Sequence, residues 1–132
     1  MKLITRNTDY AIRVLVLMAK ENRLFSVREL SLKLKMPHPF LRRILQMLHK
    51  KNILEGYKGK NGGFILKDKP KDIKLLDLIK IFQGSLKLNE CLFKKSICPN
   101  IKSCPLKNKL DSIERYVIKE LSKINLESLI NK

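Results

Sequence analysis

The chain has 132 residues, of which 29 are Lys or Arg and 12 are Asp or Glu, so its formal net charge is +17. This length suits one domain of ordinary size, and a hydrophobic share of 44% excludes a wholly disordered chain. No apolar stretch approaches the roughly 20 residues that cross a bilayer, and the N-terminus lacks the apolar core of a signal peptide. We therefore expect a cytoplasmic protein with no membrane partner, whose positive charge meets a polyanion, most simply nucleic acid.

The first part of the chain predicts two helices. Thr8 and Asp9 offer an N-cap for a helix over residues 10–20, where apolar residues recur at helical spacing. Ser26, with Glu29 three residues further on, matches a capping box and predicts the start of a second, short helix.

A third helix is predicted over residues 40–51, after two closely spaced prolines that resist helix interiors but tolerate a helix start. Between Lys33 and Lys60 the chain carries eight cations and one acid, Glu55. A solvated face is the plain explanation of such a run, but the regular apolar spacing favours one face of folded elements. Two short helices, the second rich in cations, are typical of a helix-turn-helix.

Residues 53–66 predict a β-hairpin. Asn61-Gly62 lies between two apolar runs, and this pair is the strongest short signal for a hairpin turn because both central residues need positive φ. A hairpin directly after a helix-turn-helix is a wing, which either contacts DNA or only covers the core. Lys58 and Lys60 at its tip, with no acid beside them, favour contact with phosphates.

Two more helices are predicted, over residues 73–82, ending at Gly84, and from residue 105 to about residue 124. The second has an apolar stripe that needs a partner surface, either its own domain or the same helix of a second chain. We expect the second chain, because palindromic operators suit two-fold dimers. The stripe consists of Leu106, Leu110, Ile113, Val117, Leu121 and Ile124.

The predicted fold is mainly α with a small β-hairpin wing. Its parts are a winged helix-turn-helix domain (1–83), a cysteine-containing loop (84–104), and a long C-terminal dimerisation helix with a tail (105–132).

All three cysteines lie in that loop, where Cys91, Cys98 and Cys104 are separated by six and then five residues. An odd number of cysteines in a reducing compartment disfavours disulfides. Thiolates are the natural ligands of iron–sulfur clusters, whereas zinc sites usually show paired Cys-x-x-Cys spacing, which is absent here. The spacing favours a cluster, while zinc, redox-active thiols and inert cysteines remain alternatives.

Together these elements resemble the small winged-helix repressors typified by the iron–sulfur regulator IscR and the nitric-oxide sensor NsrR. The resemblance covers residues 1–125 and rests on the order and distances of five motifs. They are Thr8-Asp9-Tyr10-Ala11-Ile12-Arg13, Val27-Arg28-Glu29-Leu30, Pro39-Phe40-Leu41-Arg42-Arg43-Ile44-Leu45 with Leu48, Gly59-Lys60-Asn61-Gly62-Gly63-Phe64, and the three cysteines. The resemblance implies a homodimeric transcription regulator whose affinity for DNA depends on an iron–sulfur cluster bound by those cysteines.

Departures from the family pattern concern the fourth cluster ligand. Members similar to IscR have a histidine three residues beyond the last cysteine, where this chain has Lys107. Members similar to NsrR take an acid from the first helix of the other subunit, and Asp9 matches that position. The alternative role of Asp9 is to complement the charge at the helix N-terminus. His38 and His49 are interpreted as surface or helix-capping residues. The resemblance favours a 4Fe–4S over a 2Fe–2S cluster, with a first cysteine spacing one residue longer than the family's common one.

The leading hypothesis is a DNA-binding repressor switched by an iron–sulfur cluster that senses nitric oxide, redox state or iron–sulfur status. The alternative is a cluster-free winged-helix regulator that answers a small molecule or a partner protein. Some relatives sense cysteine metabolism without a cluster, but they lack this trio of cysteines. An enzyme is not expected, because the chain shows no Ser/His/Asp set and no Gly-rich phosphate loop. RNA binding is disfavoured, because an aromatic platform for stacking bases is missing.

Within the predicted DNA contacts, Arg42 and Arg43 are the candidates for base edges, and Lys58 and Lys60 are the candidates for phosphates. The full set is Arg28, His38, Pro39, Phe40, Arg42, Arg43, Lys50, Lys58, Lys60 and Asn61. The expected partner is double-stranded DNA with a palindromic operator.

Overall fold

The computed structural model describes residues 3–86 and 105–130 and confirms a mainly helical fold with a two-stranded antiparallel hairpin. The elements are α1 (Arg6–Glu21), α2 (Val27–Leu34), α3 (His38–Lys50), β1 (Leu54–Tyr57), β2 (Gly63–Leu66), a 3₁₀ turn (Pro70–Asp72), α4 (Leu75–Gln83), α5 (Pro105–Leu121) and α6 (Leu126–Ile130). The order of three helices followed by a hairpin is that of a winged helix-turn-helix. Within the described ranges, no helix is long and apolar enough to cross a membrane. The predictions made for the three cysteines concern residues outside those ranges.

The first helix begins at Arg6, so the predicted cap at Thr8 and Asp9 is wrong. Thr5 is the N-cap, and its hydroxyl accepts the N–H of Thr8 at 3.5 Å. Thr8 is fully buried, and its hydroxyl donates to Oε1 of Gln83 on α4 at 2.7 Å. The same oxygen accepts the backbone N–H of Thr5 at 3.0 Å. A side chain distant in sequence therefore decides which threonine caps the helix.

The predicted cap of α2 is confirmed, since Oγ of Ser26 accepts the N–H of Glu29 at 3.0 Å. The Glu29 carboxylate is held by the forked guanidinium of Arg23, which lowers the pKa of this carboxyl. Lys33 binds Glu21 at 3.1 Å and lowers its pKa, and Arg23 also bridges to Glu21. This network joins the end of α1 to α2 across their connection.

The wing hairpin is confirmed, with Leu54 opposite Leu66 and Tyr57 opposite Gly63. A third segment pairs with it: the Phe25 N–H donates to the Phe64 carbonyl at 2.9 Å, and the Phe64 N–H donates to the Phe25 carbonyl at 2.8 Å. The wing is thereby fastened to the connection between α1 and α2.

The hairpin signal at Asn61-Gly62 was correct, but the positive φ predicted for these two residues is wrong. Five residues, 58–62, connect the strands, and the positive φ falls on Gly59 at 107° and not on Asn61. The Gly62 N–H donates to the Gly59 carbonyl at 3.0 Å. A Cβ on Gly62 would lie 2.1 Å from the carbonyl oxygen of Tyr57, so the close approach of the backbone explains why this position is glycine.

The apolar stripe of α5 was expected to face a second chain along its whole length, but one end of it is buried in its own protomer. The helix ends at Leu121, and Leu121 is buried against Leu75 and Ile79 of α4, together with Leu86. Other apolar side chains along α5 are open to solvent, with Leu106 65%, Ile113 52% and Tyr116 65% exposed. The last part of the helix therefore packs on its own protomer, which was the alternative to pairing with a second chain.

After α5 the chain returns to the winged-helix core. The Leu75 N–H donates to the Ile124 carbonyl at 3.0 Å, and the Leu126 N–H donates to the Ile73 carbonyl at 2.8 Å. Leu126 is 1% exposed and belongs to the main core, whose buried members from the first three helices include Leu15 and Leu45. Helix α6 thus completes the core that supports the helix-turn-helix.

Candidate nucleic-acid interface

Helix α3 has one buried and one exposed face. Leu41, Ile44, Leu45 and Leu48 recur at helical spacing and are buried in the main core. Burying that apolar face orients the helix, because the opposite side must then face solvent. The residues exposed on that side include Pro39, Arg42, Arg43, Gln46 and Lys50.

Aromatic packing holds the start of α3 against α1. The ring of Tyr10 meets the ring of Phe40 edge-on, with centroids 5.1 Å apart and an angle of 80°. The guanidinium carbon of Arg43 lies 5.9 Å from the Phe40 centroid, within reach of a cation–π interaction. Phe40 is half-buried and belongs to the predicted DNA contacts, and its ring contacts both Tyr10 and Arg43.

The first turn of α3 is electropositive. His38 and Pro39 are exposed there, the N-cap residue is Pro37, and the first turn contains no acid. Free N–H groups at the start of a helix attract anions, because the helix dipole is positive at that end. Arg28, on α2, is also exposed.

The wing contributes a second exposed basic surface. Lys58, Lys60 and Asn61 are exposed at its tip, and the neighbouring Tyr57 is 56% exposed. The wing is joined to the end of α3 through His49, whose Nδ1 lies 3.1 Å from the Leu54 carbonyl oxygen. Basic side chains on α3 and on the hairpin thus belong to one folded unit with fixed neighbours.

Gln46 and Tyr57 were missed by the sequence prediction, although both lie on the exposed surfaces of α3 and the wing. Gln46 follows Arg43 by three residues and Arg42 by four, and this spacing puts them on one helix face. That periodic relation could have identified Gln46, but the prediction chose only arginines, Arg42 and Arg43, as candidates for base edges.

The candidate cluster ligand Asp9 lies in the first turn of α1. Its Oδ2 accepts a hydrogen bond from Nε of Arg13 at 3.1 Å, and the side chain is 44% exposed. It lines an open hollow with Ile4, Thr5, Arg6, Tyr10 and Arg13. Lys107 lies at the position where members similar to IscR have a histidine, and it binds Asp111 at 2.8 Å. In the part of the chain that the structure describes, no group of three or more His, Cys, Asp or Glu side chains could hold a metal ion.

Fold and surface together define a winged-helix DNA-binding protein, with a cationic helix and hairpin on one domain. A family model described as "Rrf2: Iron-dependent Transcriptional regulator" matches residues 4–132. The chain belongs to the Rrf2 family. It is a DNA-binding transcriptional regulator and not an enzyme, and the resemblance inferred from the sequence is confirmed.

Individual relatives are similar to this chain over most of its length. The regulator NsrR of Shouchella clausii is 28% identical over 129 residues, which are 89% of this chain and 87% of that protein. CymR, described as the global cysteine regulator of B. subtilis, has a TM-score of 0.80 at 21% identity, covering 98% of this chain and 97% of that one. IscR of T. potens has a TM-score of 0.74 at 20% identity, covering 98% and 86%. At these identities the two solved structures show a common fold alone.

Proposed function

We propose that the protein is a homodimeric repressor that reads a palindromic operator through α3, and whose affinity for DNA is switched by an iron–sulfur cluster. The observation that carries the DNA-binding part is the solvent face of α3, where Arg42, Arg43 and Lys50 lie opposite a fully buried apolar face. The cluster part is supported by the three cysteines and by the family's description as iron-dependent regulators.

In this proposal α3 enters the major groove and the wing follows the phosphates. Arginine makes bidentate hydrogen bonds to guanine, so Arg42 and Arg43 are assigned to base edges. Lys58 and Lys60 are assigned to phosphates, where each cation contributes through counterion release and not through sequence choice. His38 and Pro39 lie where the start of α3 would approach the backbone, and Arg28, Lys50 and Asn61 complete the proposed contact surface.

The proposed dimer contact is the exposed apolar face of α5. Leu106, Ile113 and Tyr116 are more than half exposed in the protomer, and a second copy of α5 would cover them. A palindromic operator requires two reading heads related by a two-fold axis, and one surface that meets itself supplies that symmetry. Leu121 is excluded from this contact, because it is buried within its own protomer.

The proposed cluster ligands are Cys91, Cys98 and Cys104, with Asp9 of the partner subunit in the fourth position. Asp9 fits this role chemically, because its carboxylate is partly exposed in an open hollow. To bind iron, the carboxylate would give up its ion pair with Arg13. Arg6 and Arg13 beside it would compensate the negative charge of a thiolate-ligated cluster. Lys107 is unsuited to ligation, because its ammonium group binds Asp111. When bound, a 4Fe–4S cluster supplies an iron that reacts with nitric oxide or oxidants.

The contacts of α1 offer a route from Asp9 to the DNA surface. Tyr10 follows Asp9 directly and packs on Phe40, over which the Arg43 guanidinium lies. A shift of the first turn of α1 would therefore displace the start of α3. A difference of about 1–3 kcal/mol in DNA affinity between the two arrangements would suffice for regulation.

Anaerobic purification tests the cluster. We expect a coloured protein with stoichiometric iron and sulfide, and loss of both in the variant Cys98→Ser. Asp9→Ala should still assemble the cluster but alter its absorbance and shorten its lifetime in air, because the weakest ligand is replaced. Asp72→Ala, which removes an exposed acid from the 3₁₀ turn, is the matched control and should change neither.

A cluster-free regulator is the alternative, since the fold is shared with a global cysteine regulator. A colourless, iron-free protein that binds its operator with full affinity under anaerobic conditions would favour that alternative and refute the cluster. Because its partner is chromosomal DNA, we expect the protein to act in the cytoplasm.

A further inference from the structure

We infer that Gln46 determines sequence specificity by reading an adenine in each half-site, at the base pair next to the guanine read by Arg43. The inference rests on the proposed placement of α3 in the major groove. It assigns a base-reading role to a neutral residue in the middle of a cationic surface.

The position of Gln46 on α3 is the first observation. It lies one turn after Arg43 and one turn before Lys50, on the face opposite the buried Leu41, Leu45 and Leu48. Residues at this spacing project side by side from a helix. Any groove that accepts the Arg43 side chain therefore also receives Gln46.

The state of the Gln46 amide is the second observation. Gln83, the other glutamine of the chain, uses both ends of its amide, accepting from Thr5 and Thr8 and donating to the Leu3 carbonyl. Gln46 makes no hydrogen bond to any residue in the described ranges, so both ends of its amide are free for a ligand. Inside a groove from which water is displaced, an unpaired amide is costly, so a partner at the base edge is required.

The chemistry selects the base. A glutamine amide donates and accepts in the same plane, which matches N7 and the N6 amino group of adenine, as arginine matches guanine. Residues three apart on a helix are separated by about 4.5 Å along its axis, and base pairs by about 3.4 Å. The bases read by Arg43 and Gln46 are therefore neighbours. Phe40 supports this arrangement, because its ring contacts the guanidinium of Arg43, which is assigned to the first of the two bases.

The test is selection of binding sites from a random duplex library by the wild-type protein and by variants. For wild type we expect a guanine and an adenine at adjacent positions of each half-site. Gln46→Ala should reduce the preference for that adenine from about 5- to 150-fold to near unity while leaving the guanine. Gln46→Glu should move the preference to cytosine, because a carboxylate accepts from the cytosine N4 amino group. Arg43→Ala should remove the preference for the guanine and leave the preference for the adenine.

Lys60→Ala serves as the control, since loss of a phosphate contact weakens all sequences alike. If Gln46→Ala and Gln46→Glu both select the same bases as wild type, the assignment of Gln46 is overturned. This holds even if Arg43→Ala loses the preference for guanine. If wild type selects no sequence at all, the placement of α3 in the major groove fails as well, and the inference fails with it.

Discussion

Replacing Gly63 by alanine should break the pairing that fastens the wing to the connection between α1 and α2. A Cβ at this position would lie 2.2 Å from the carbonyl oxygen of Phe25 and 2.7 Å from its carbonyl carbon. Ordinary contacts between carbon and oxygen are about 3.3 Å or longer, so the two backbones must separate by about 1 Å. That separation breaks the two hydrogen bonds between Phe25 and Phe64, which measure 2.9 and 2.8 Å.

The expected cost follows from those two bonds. Each is worth roughly 0.5–1.5 kcal/mol net, so the free energy of unfolding should fall by about 1–3 kcal/mol. Amide hydrogen exchange gives the local assay, and protection of the Phe25 and Phe64 N–H groups should drop by about 5- to 150-fold. Gly59→Ala is the matched control, because its Cβ would meet no atom within 4 Å although its φ is 107°. It should destabilise the turn but leave those two amides protected. Unchanged exchange at Phe25 and Phe64 in Gly63→Ala would refute the reasoning.

Three further predictions concern surface charges and the α5 helix. Lys60→Ala should flatten the slope of log affinity against log salt by about one for each DNA-bound protomer without altering base preference; an unchanged slope would remove the wing tip from the interface. Ile113→Lys should raise the dimer dissociation constant by at least ~100-fold in sedimentation, because it buries an unpaired charge, whereas Asn108→Lys, on an exposed side of the same helix, should not; equal effects would exclude this face as the dimer contact. Because Arg23 lowers the pKa of Glu29, that carboxylate stabilises the fold above its ordinary pKa, and this contribution is lost as pH falls through the lowered value. Thermal melts of wild type and Glu29→Gln should therefore differ at pH 7 and converge in acid, and a difference independent of pH would contradict the ion-pair explanation.

Local signals predicted the elements of the fold well. The Ser26 cap and the apolar spacing of α3 depend on residues within one or two turns, so the sequence was sufficient for them. The errors arose where distant residues decide. Gln83 selects Thr5 as the cap of α1, and Leu75 and Ile79 of α4 cover Leu121 of α5. Neither contact can be read from its neighbours in the sequence.

The cations among the candidate DNA contacts were chosen by charge. Arg42, Arg43 and Lys60 are exposed as expected, because lysine and arginine are rarely buried without a partner. A charge criterion cannot find Gln46, and it cannot tell that Phe40 packs on Tyr10 within the protomer. The apolar stripe of α5 was treated as one surface, because the spacing of apolar residues predicts which face of a helix is apolar but not what that face packs against. The predictions for Cys91, Cys98 and Cys104 await experiment.

The packing of α6 in the core has a consequence for chains that a nonsense mutation truncates. Every residue proposed to touch DNA precedes residue 62, yet Leu126 fills part of the core beneath them and is 1% exposed. Leaving that space empty costs about 2–5 kcal/mol, a large share of the stability of a small domain. A chain that stops before residue 126 therefore carries all of the reading surface but not the means to hold it rigid. Nonsense alleles of this regulator should accordingly be recessive, because the fragments they encode compete poorly for the operator.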